Sequence, residues 1–495
     1  MDERIIIATT FALYLVMMLW IGLHFYKKTE NISDYTLGGR KLGFLGSSIS
    51  AQASDMSGWL LLGLPGAAFV SGLSGSVWIA IGLALGTYFN WKILAKKFRI
   101  YTQKYSDSIT VPSYLENRFD DKKGILKLIS SFFIILFFVP YTASGFVSGG
   151  KLFTTIFGTP YILSVVICAV VVVSYTFLGG FMAVCYTDIV QGSLMFFTLL
   201  IIPIIVVFKC GGIQNVVSAI DPALLDPLNL KILCADGSGS IAVAAISIIS
   251  SLAWGLGYFG QPHIITKFMA IENPEEIKIS RRIAAVWVII TLAASTAIGL
   301  VGHYYFPNLN GADSETIFIL LVHKCVPILL TGVLLSAILA AIMSTADSQL
   351  LIISSTVSED LYRSLIKKDA SDKQLVKLSR ITILVVALVA FSISLNPDSS
   401  VLKLVSYAWA GFGCAFGPVI LLSLFWEKMT REGAIAGMVA GGMISALWPI
   451  IKNYSSLPIF KLYEIVPGFF GALIVVYVVS KMTYQMTNDK GQMTN

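Results

Sequence analysis

Charge is what this sequence has least of. Only 13% of its 495 residues are charged, where an ordinary soluble domain carries about 25%, and the mean hydropathy is +0.80. A soluble chain of this length would need charge to cover two or three domains. The shortage excludes such domains, and it excludes disorder and coiled coil equally. Cysteine is also sparse: Cys168, Cys185, Cys210, Cys234, Cys325 and Cys414 are scattered through or beside apolar segments, with no CxxC pair. Neither a disulfide framework nor a thiolate metal site follows from that spacing. His24, His263, His303 and His323 are as dispersed, which argues against a zinc enzyme. No G-x-S-x-G, HExxH or P-loop arranges Ser, His and Asp for catalysis. The 56% of hydrophobic residues points instead to an all-α polytopic membrane protein.

A spanning helix needs about 20 largely apolar residues. That rule predicts thirteen spans, at 4–26, 43–72, 75–95, 125–157, 160–180, 188–208, 241–262, 283–306, 317–348, 379–396, 400–425, 433–452 and 465–484. The first is too long for a signal-peptide core, and no small-residue cleavage site follows it. Segments after odd-numbered spans, beginning with Lys27, Lys28, Arg40 and Lys41, hold 27 of the 35 lysines and arginines. Positive loops stay in the cytoplasm, so the N-terminus is expected outside and the C-terminus inside a cell membrane. The net charge of +7 then has a topological cause, and a nucleic-acid partner is not needed. The whole chain reads as one transporter domain with a polar, frayed tail at 485–495.

Two spans are interrupted mid-membrane. The second holds SSISAQASDMSGWLLLGLPGA (47–67), and the seventh holds SSLAWGLGYFGQPH (250–263). Glycine and proline there let a helix unwind, and freed backbone groups are tolerated in a membrane only where they line a cavity or bind an ion. The alternative is close packing through small residues. Spans two to six and seven to eleven form two groups of five, each led by an interrupted helix. An odd number per group forces opposite orientations, the inverted-repeat plan of secondary transporters. The first repeat would cover 43–208 and the second 241–425, with an additional helix before them at 4–26 and two after at 433–484.

A charge at the bilayer centre costs about 2.5–3.5 kcal/mol even on the lenient insertion scale, so such residues mark ion or substrate paths. Asp55 is mid-span. Asp188 opens the sixth span, where an interfacial helix cap is an equal reading, and Asp347 is compatible with a water-filled cavity. Ala341, Ser344 and Thr345 share one helix face. Their oxygens, facing carbonyls at the break near Ala53 and Met56, would form a hard-oxygen cage suited to an alkali cation. On spacing alone, hydroxyls bonded back to their own helix have a slight edge over that cage.

The segments ASDMSGWLLLGLPGA (53–67), GGFMAVCYTDIVQ (179–191), WGLGYFGQPHI (254–264) and LLSAILAAIMSTADSQLL (334–351) resemble the signatures of the solute:sodium symporter family. They are closest to its sodium/proline symporters of the PutP type. The likeness extends from YTLGGRKLG (35–43) to VSYAWAGFGCAFGP (405–418) and LYEIVPGF (462–469). It implies a LeuT-like core of five plus five inverted helices and Na+-coupled uptake of L-proline. It places a sodium site on Ala53, Met56, Ala341, Ser344 and Thr345, supported by Asp55 and Ser57. It places the substrate on Trp59, Gly63, Tyr141, Trp254, Tyr258 and Pro262. Asp188, Asp347 and Ser348 remain as a second-cation or gating set. Other small amino acids or carboxylate solutes on the same fold are the close alternative. A transporter-like sensor is the distant one, disfavoured because no long soluble domain follows residue 484. No protein partner is called for.

Overall fold

The computed structural model describes residues 2–26, 32–177, 180–234, 237–454 and 457–493; Lys27, Lys28 and Gly179 lie outside them. Eleven helices among the described residues are long and apolar enough to cross a membrane, and Tyr161–Thr176 is a shorter apolar one. One of the eleven, Trp59–Lys104, is 46 residues long. At about 1.5 Å per residue it would be more than twice the ~30 Å hydrocarbon core. It is two crossings that meet at Gly72, where φ is +55° and ψ −149°. The half-helix Phe44–Asp55 completes the first of them, so the thirteen predicted crossings have counterparts in the described residues.

Gly72 shows why the chain can turn there. Its backbone angles are open only to glycine, and a Cβ would sit 2.1 Å from the Leu224 carbonyl oxygen. Gly72→Ala is therefore expected to cost about 1–3 kcal/mol in backbone strain alone, before the clash. Thermal unfolding of the purified protein in detergent should drop by several degrees; an unchanged transition would contradict this account.

Several boundaries differ from the sequence reading. The sixth span starts at Phe181 rather than 188: the two turns ahead of Asp188, FMAVCYT, are themselves largely apolar, and taking the carboxylate as the start of the helix leaves them out. The stretch 317–348 is two helices, Ile317–Cys325 and Ile328–Ser355. Pro327, with no N–H to give, separates them. The eighth crossing is Ile277–Gly302. The tenth opens earlier, at Asp372, behind a capping box formed by Ser371 and Gln374. The last helix, Ile465–Met493, continues into the stretch read as a frayed tail.

The most deeply enclosed crossings are Val401–Phe425 and the one that begins at Ile328, with 83% and 72% of their apolar windows buried. The N-terminal helix, 28% buried, packs at the edge against Ile328–Ser355 and Phe181–Lys209. The seventh crossing runs as Ile241–Leu252, tightens to 3₁₀ winding over Ala253–Gly260, and resumes as the half-helix Pro262–Met269. Its glycine-rich part is held by backbone contact. A Cβ on Gly255 would lie 2.2 Å from the Gly82 carbonyl oxygen, and one on Gly86 would lie 2.4 Å from that of Gly255. Only small residues allow helices this close.

On the face that carries the basic loops, a short backbone bridge joins the two interrupted crossings. Leu42 N–H donates to Ala270 O at 3.1 Å, and Glu272 N–H donates to Leu42 O at 3.0 Å. Arg40 reinforces it, donating to Met269 O at 2.6 Å, to Ser108 O at 2.9 Å and to Asp107 Oδ1 at 2.8 Å. The opposite face is closed by Glu315, in the turn Gly311–Thr316. Its carboxylate accepts from Lys151 Nζ at 2.5 Å, Ser400 Oγ at 2.8 Å and Val401 N–H at 3.0 Å. The anion thus caps the positive end of Val401–Phe425 and links it to Ile125–Phe157.

Candidate functional site

The two interruptions meet at the centre. Phe44–Asp55 stops at Met56, whose ψ of +73° takes the backbone out of helical geometry. The chain resumes with a π turn over Trp59–Gly63, a feature often found at functional sites. The loosened segment is held by its own carbonyl. Asp55 O accepts from Ser57 N–H at 3.0 Å, Trp59 Nε1 at 2.9 Å and Tyr141 Oη at 3.3 Å. The Asp55 carboxylate is fully buried. Oδ2 accepts from Tyr258 Oη at 2.6 Å, while Oδ1 has no partner. Because unpartnered buried oxygens are costly, this one marks a place for a cation or a donor.

On the neighbouring helix Ile328–Ser355, Ser344 Oγ reaches across to Ala53 O at 2.9 Å and lies 3.3 Å from Ala341 O. The hydroxyl therefore both bonds back to its own helix and faces the break. Thr345 Oγ1, also buried, has no hydrogen-bond partner. Ser344 and Ala53 are in direct contact, while Met56 begins the break close by. Carbonyl and hydroxyl oxygens gathered without thiolate or imidazole suit an alkali cation by donor type.

Four aromatics line the other side of the break. The Trp59 and Trp254 ring centroids are 6.4 Å apart, and Tyr141 and Tyr258 both hydrogen bond to Asp55. Trp409, which the sequence reading missed, joins them. Its ring centroid is 4.9 Å from that of Tyr258, and its Nε1 donates to Trp254 O at 2.8 Å. Gly257 makes room for it, since a Cβ there would fall 1.9 Å from Trp409 Nε1. That glycine, in a run with Gly255 and Gly260, was the only sequence signal of a large neighbour. Gly63 packs against Leu402 instead. Pro262 opens its half-helix and lines a crevice with Ile134, Thr266 and Ile352.

A second polar cluster lies between the half-helices and the basic face. Asp188 is fully buried, two turns inside its helix, which overturns the interfacial-cap reading. Its Oδ2 accepts from Ser50 Oγ at 2.5 Å, Ser54 Oγ at 3.3 Å and Lys267 Nζ at 3.2 Å. Ser54 and Ser348 hydroxyls are 2.9 Å apart, and Lys267 Nζ is 3.3 Å from Ser348 Oγ. The sequence reading counts Lys267 among the loop charges that set topology. It is instead 2% exposed, within Pro262–Met269. Asp347 is also buried, and neither carboxyl oxygen has a hydrogen-bond partner.

The profile of the Sodium:solute symporter family matches residues 35–441. The chain belongs to that family. The symporter is 46% identical over 482 residues to the osmoregulated proline transporter OpuE of Bacillus subtilis strain 168, covering 96% of this chain and 95% of that one. It is 47% identical over 474 residues to the sodium/proline symporter of Salmonella typhimurium strain LT2, covering 94% and 91%. Its fold is similar to that of a Na+-coupled sialic acid symporter solved substrate-bound and outward-open. There the TM-score is 0.80 at 22% identity, covering 97% of this chain and 98% of the other. The symporter thus has the LeuT-type helical fold expected of it.

Proposed function

We propose that this symporter takes up L-proline together with Na+ by alternating access across a cell membrane, with its N-terminus outside and its basic face in the cytoplasm. The observation that carries this reading is the contact between Ser344 Oγ and Ala53 O at a helix break, beside an unpartnered Thr345 hydroxyl. Sodium would enter there, held by the carbonyls of Ala53, Met56 and Ala341 and the hydroxyls of Ser344 and Thr345. Asp55 and Ser57 would support it from the same break. The relatives' names point to proline as the solute, and the pocket's chemistry agrees. Trp59, Tyr141, Trp254 and Tyr258 present aromatic surface to a compact ring and its secondary ammonium, an attraction of about 0.5–2 kcal/mol. The positive N-terminal end of Pro262–Met269 suits a carboxylate. Gly63, against Leu402, would bound the pocket at one end, whereas Pro262 faces the separate crevice of Ile134, Thr266 and Ile352.

Sodium would bind first and tie the loosened segment to Ile328–Ser355, which orders the aromatic wall for proline. Each ligand must then raise the other's affinity. The halves 43–208 and 241–425 would rock about this site, with 4–26 and 433–484 outside the moving core. An inward membrane potential adds about 2.3 kcal/mol per charge for each 100 mV.

Labelled-proline uptake into proteoliposomes tests the reading. An imposed Na+ gradient should drive accumulation that K+ and H+ gradients do not, and unlabelled proline should compete. Uptake indifferent to sodium would overturn the coupling. Competition by pantothenate or sialic acid but not by proline would overturn the substrate.

A further inference from the structure

We propose that the Lys267 ammonium is the resident cation of the Asp188–Ser348 cluster, taking the place that a second sodium would otherwise fill. This rests on the sodium–proline reading above and adds to it how the second cluster works. Ser50, Ser54, Asp188 and Ser348 come from three different crossings, and all are buried at 2% exposure or less. They converge on one spot. Ser50 and Ser54 hydroxyls lie 2.5 and 3.3 Å from Asp188 Oδ2, and Ser54 meets Ser348 at 2.9 Å. A carboxylate whose Oδ2 accepts from two hydroxyls, whose Oδ1 has no hydrogen-bond partner, and which is sealed from water needs a positive partner. Burying one charge alone is far more costly than burying a pair.

Lys267 supplies that partner. Its Nζ donates to Asp188 Oδ2 at 3.2 Å and Ser348 Oγ at 3.3 Å, and lies 3.7 Å from Cys185 Sγ. The Phe181 ring centroid is 5.0 Å away, within cation–π range. Three N–H groups thus have three neighbours, and an aromatic face lies beside them. Asp347, next in sequence to Ser348, is not hydrogen bonded to the cluster, since neither of its oxygens has a hydrogen-bond partner.

The ammonium is tethered to Pro262–Met269, so unlike an ion it cannot leave with the cargo. It fastens that half-helix to the helices of Asp188 and Ser348 throughout the cycle. The Ala53–Ser344 site is then left to bind the one exchangeable sodium. Lys267 is in this sense a positioning residue for coupling, acting through Asp188 and touching neither proline nor that sodium.

The test is the ratio of sodium to proline moved by purified protein in proteoliposomes, from dual-isotope flux or reversal potential. The wild type should move one sodium per proline, with a hyperbolic sodium dependence. Lys267→Met removes the charge at similar length. It should make the dependence sigmoidal, with a second sodium entering beside Asp188. Lys267→Arg should keep the wild-type ratio. The neutral pair Lys267→Met with Asp188→Asn should also keep one sodium and a hyperbolic curve. If Lys267→Met does not reach the membrane, the wild-type ratio and the neutral pair still decide. A wild type that moves two sodiums per proline would overturn the proposal. So would an inserted Lys267→Met with unchanged ratio and curve, or a neutral pair that gains a second sodium. Wild-type proline uptake that ignores sodium would overturn the symport reading itself, and this inference with it.

Discussion

Asp55→Asn is expected to abolish sodium-stimulated proline uptake at ordinary sodium concentrations while the protein remains in the membrane. The substitution keeps the size of the side chain and lets its amide oxygen accept from Tyr258 Oη, now at 2.6 Å from Oδ2. The bonds of the Asp55 carbonyl to Ser57, Trp59 and Tyr141 belong to the backbone and survive. Only the negative charge beside the helix break is lost. Interactions with a charged group contribute about 1.5–3 kcal/mol, so half-saturating sodium should rise by about 10- to 100-fold. Sodium titrations of uptake check this, with thermal unfolding to establish that the protein is intact. An Asp55→Asn protein with normal sodium dependence would remove the residue from the mechanism.

Ser344→Ala and Thr345→Val should give a comparable loss with a different signature. Ser344 is bonded to Ala53 O and Ala341 O in the protein itself, so its removal should weaken both sodium binding and the join between helices. Thr345 Oγ1 is buried without a partner. Its replacement by isosteric valine takes away the proposed sodium ligand and also a desolvation penalty. Thr345→Val is therefore expected to raise half-saturating sodium by about tenfold, from a loss of about 1–3 kcal/mol, with thermal stability unchanged or improved. The double variant should approach a shift of about 100-fold, with uptake recovering at high sodium. A Thr345→Val protein that loses stability but keeps its sodium affinity would mean that the hydroxyl serves the fold and not the ion.

The crossings were legible in the sequence because apolar runs of membrane length have few competing readings. Ile125–Phe157 matches its predicted span at both ends, since Lys122, Lys123 and Gly124 bound it on one side and Gly158 and Pro160 on the other. Legibility failed where polar residues face inward. The turns ahead of Asp188 are largely apolar, but a carboxylate inside a span is easily taken for its end, and only the fold shows this one buried. Lys267 failed for the same reason in reverse. A lysine soon after a membrane break is normally an interfacial charge, and only the fold shows the carboxylate waiting for it. The breaks themselves were visible, because clustered glycine and proline mid-membrane loosen a helix or let another pack closely, and little else. What packs into them was not. Trp409 lies about 150 residues from Gly257 in the chain, and nothing local to either announces the other.

The bridge between Leu42 and Ile271, with Arg40 bound to Met269 O, has a mechanical consequence. It rivets the basic-face end of Phe44–Asp55 to the basic-face end of Pro262–Met269, while Asp55 at the inner end of the first bonds Tyr258 in the 3₁₀ stretch just ahead of the second. A pair fixed at both ends swings as one rigid leaf. In the alternating-access cycle proposed above, the basic face would then open about a single hinge line, and neither half-helix would open it alone.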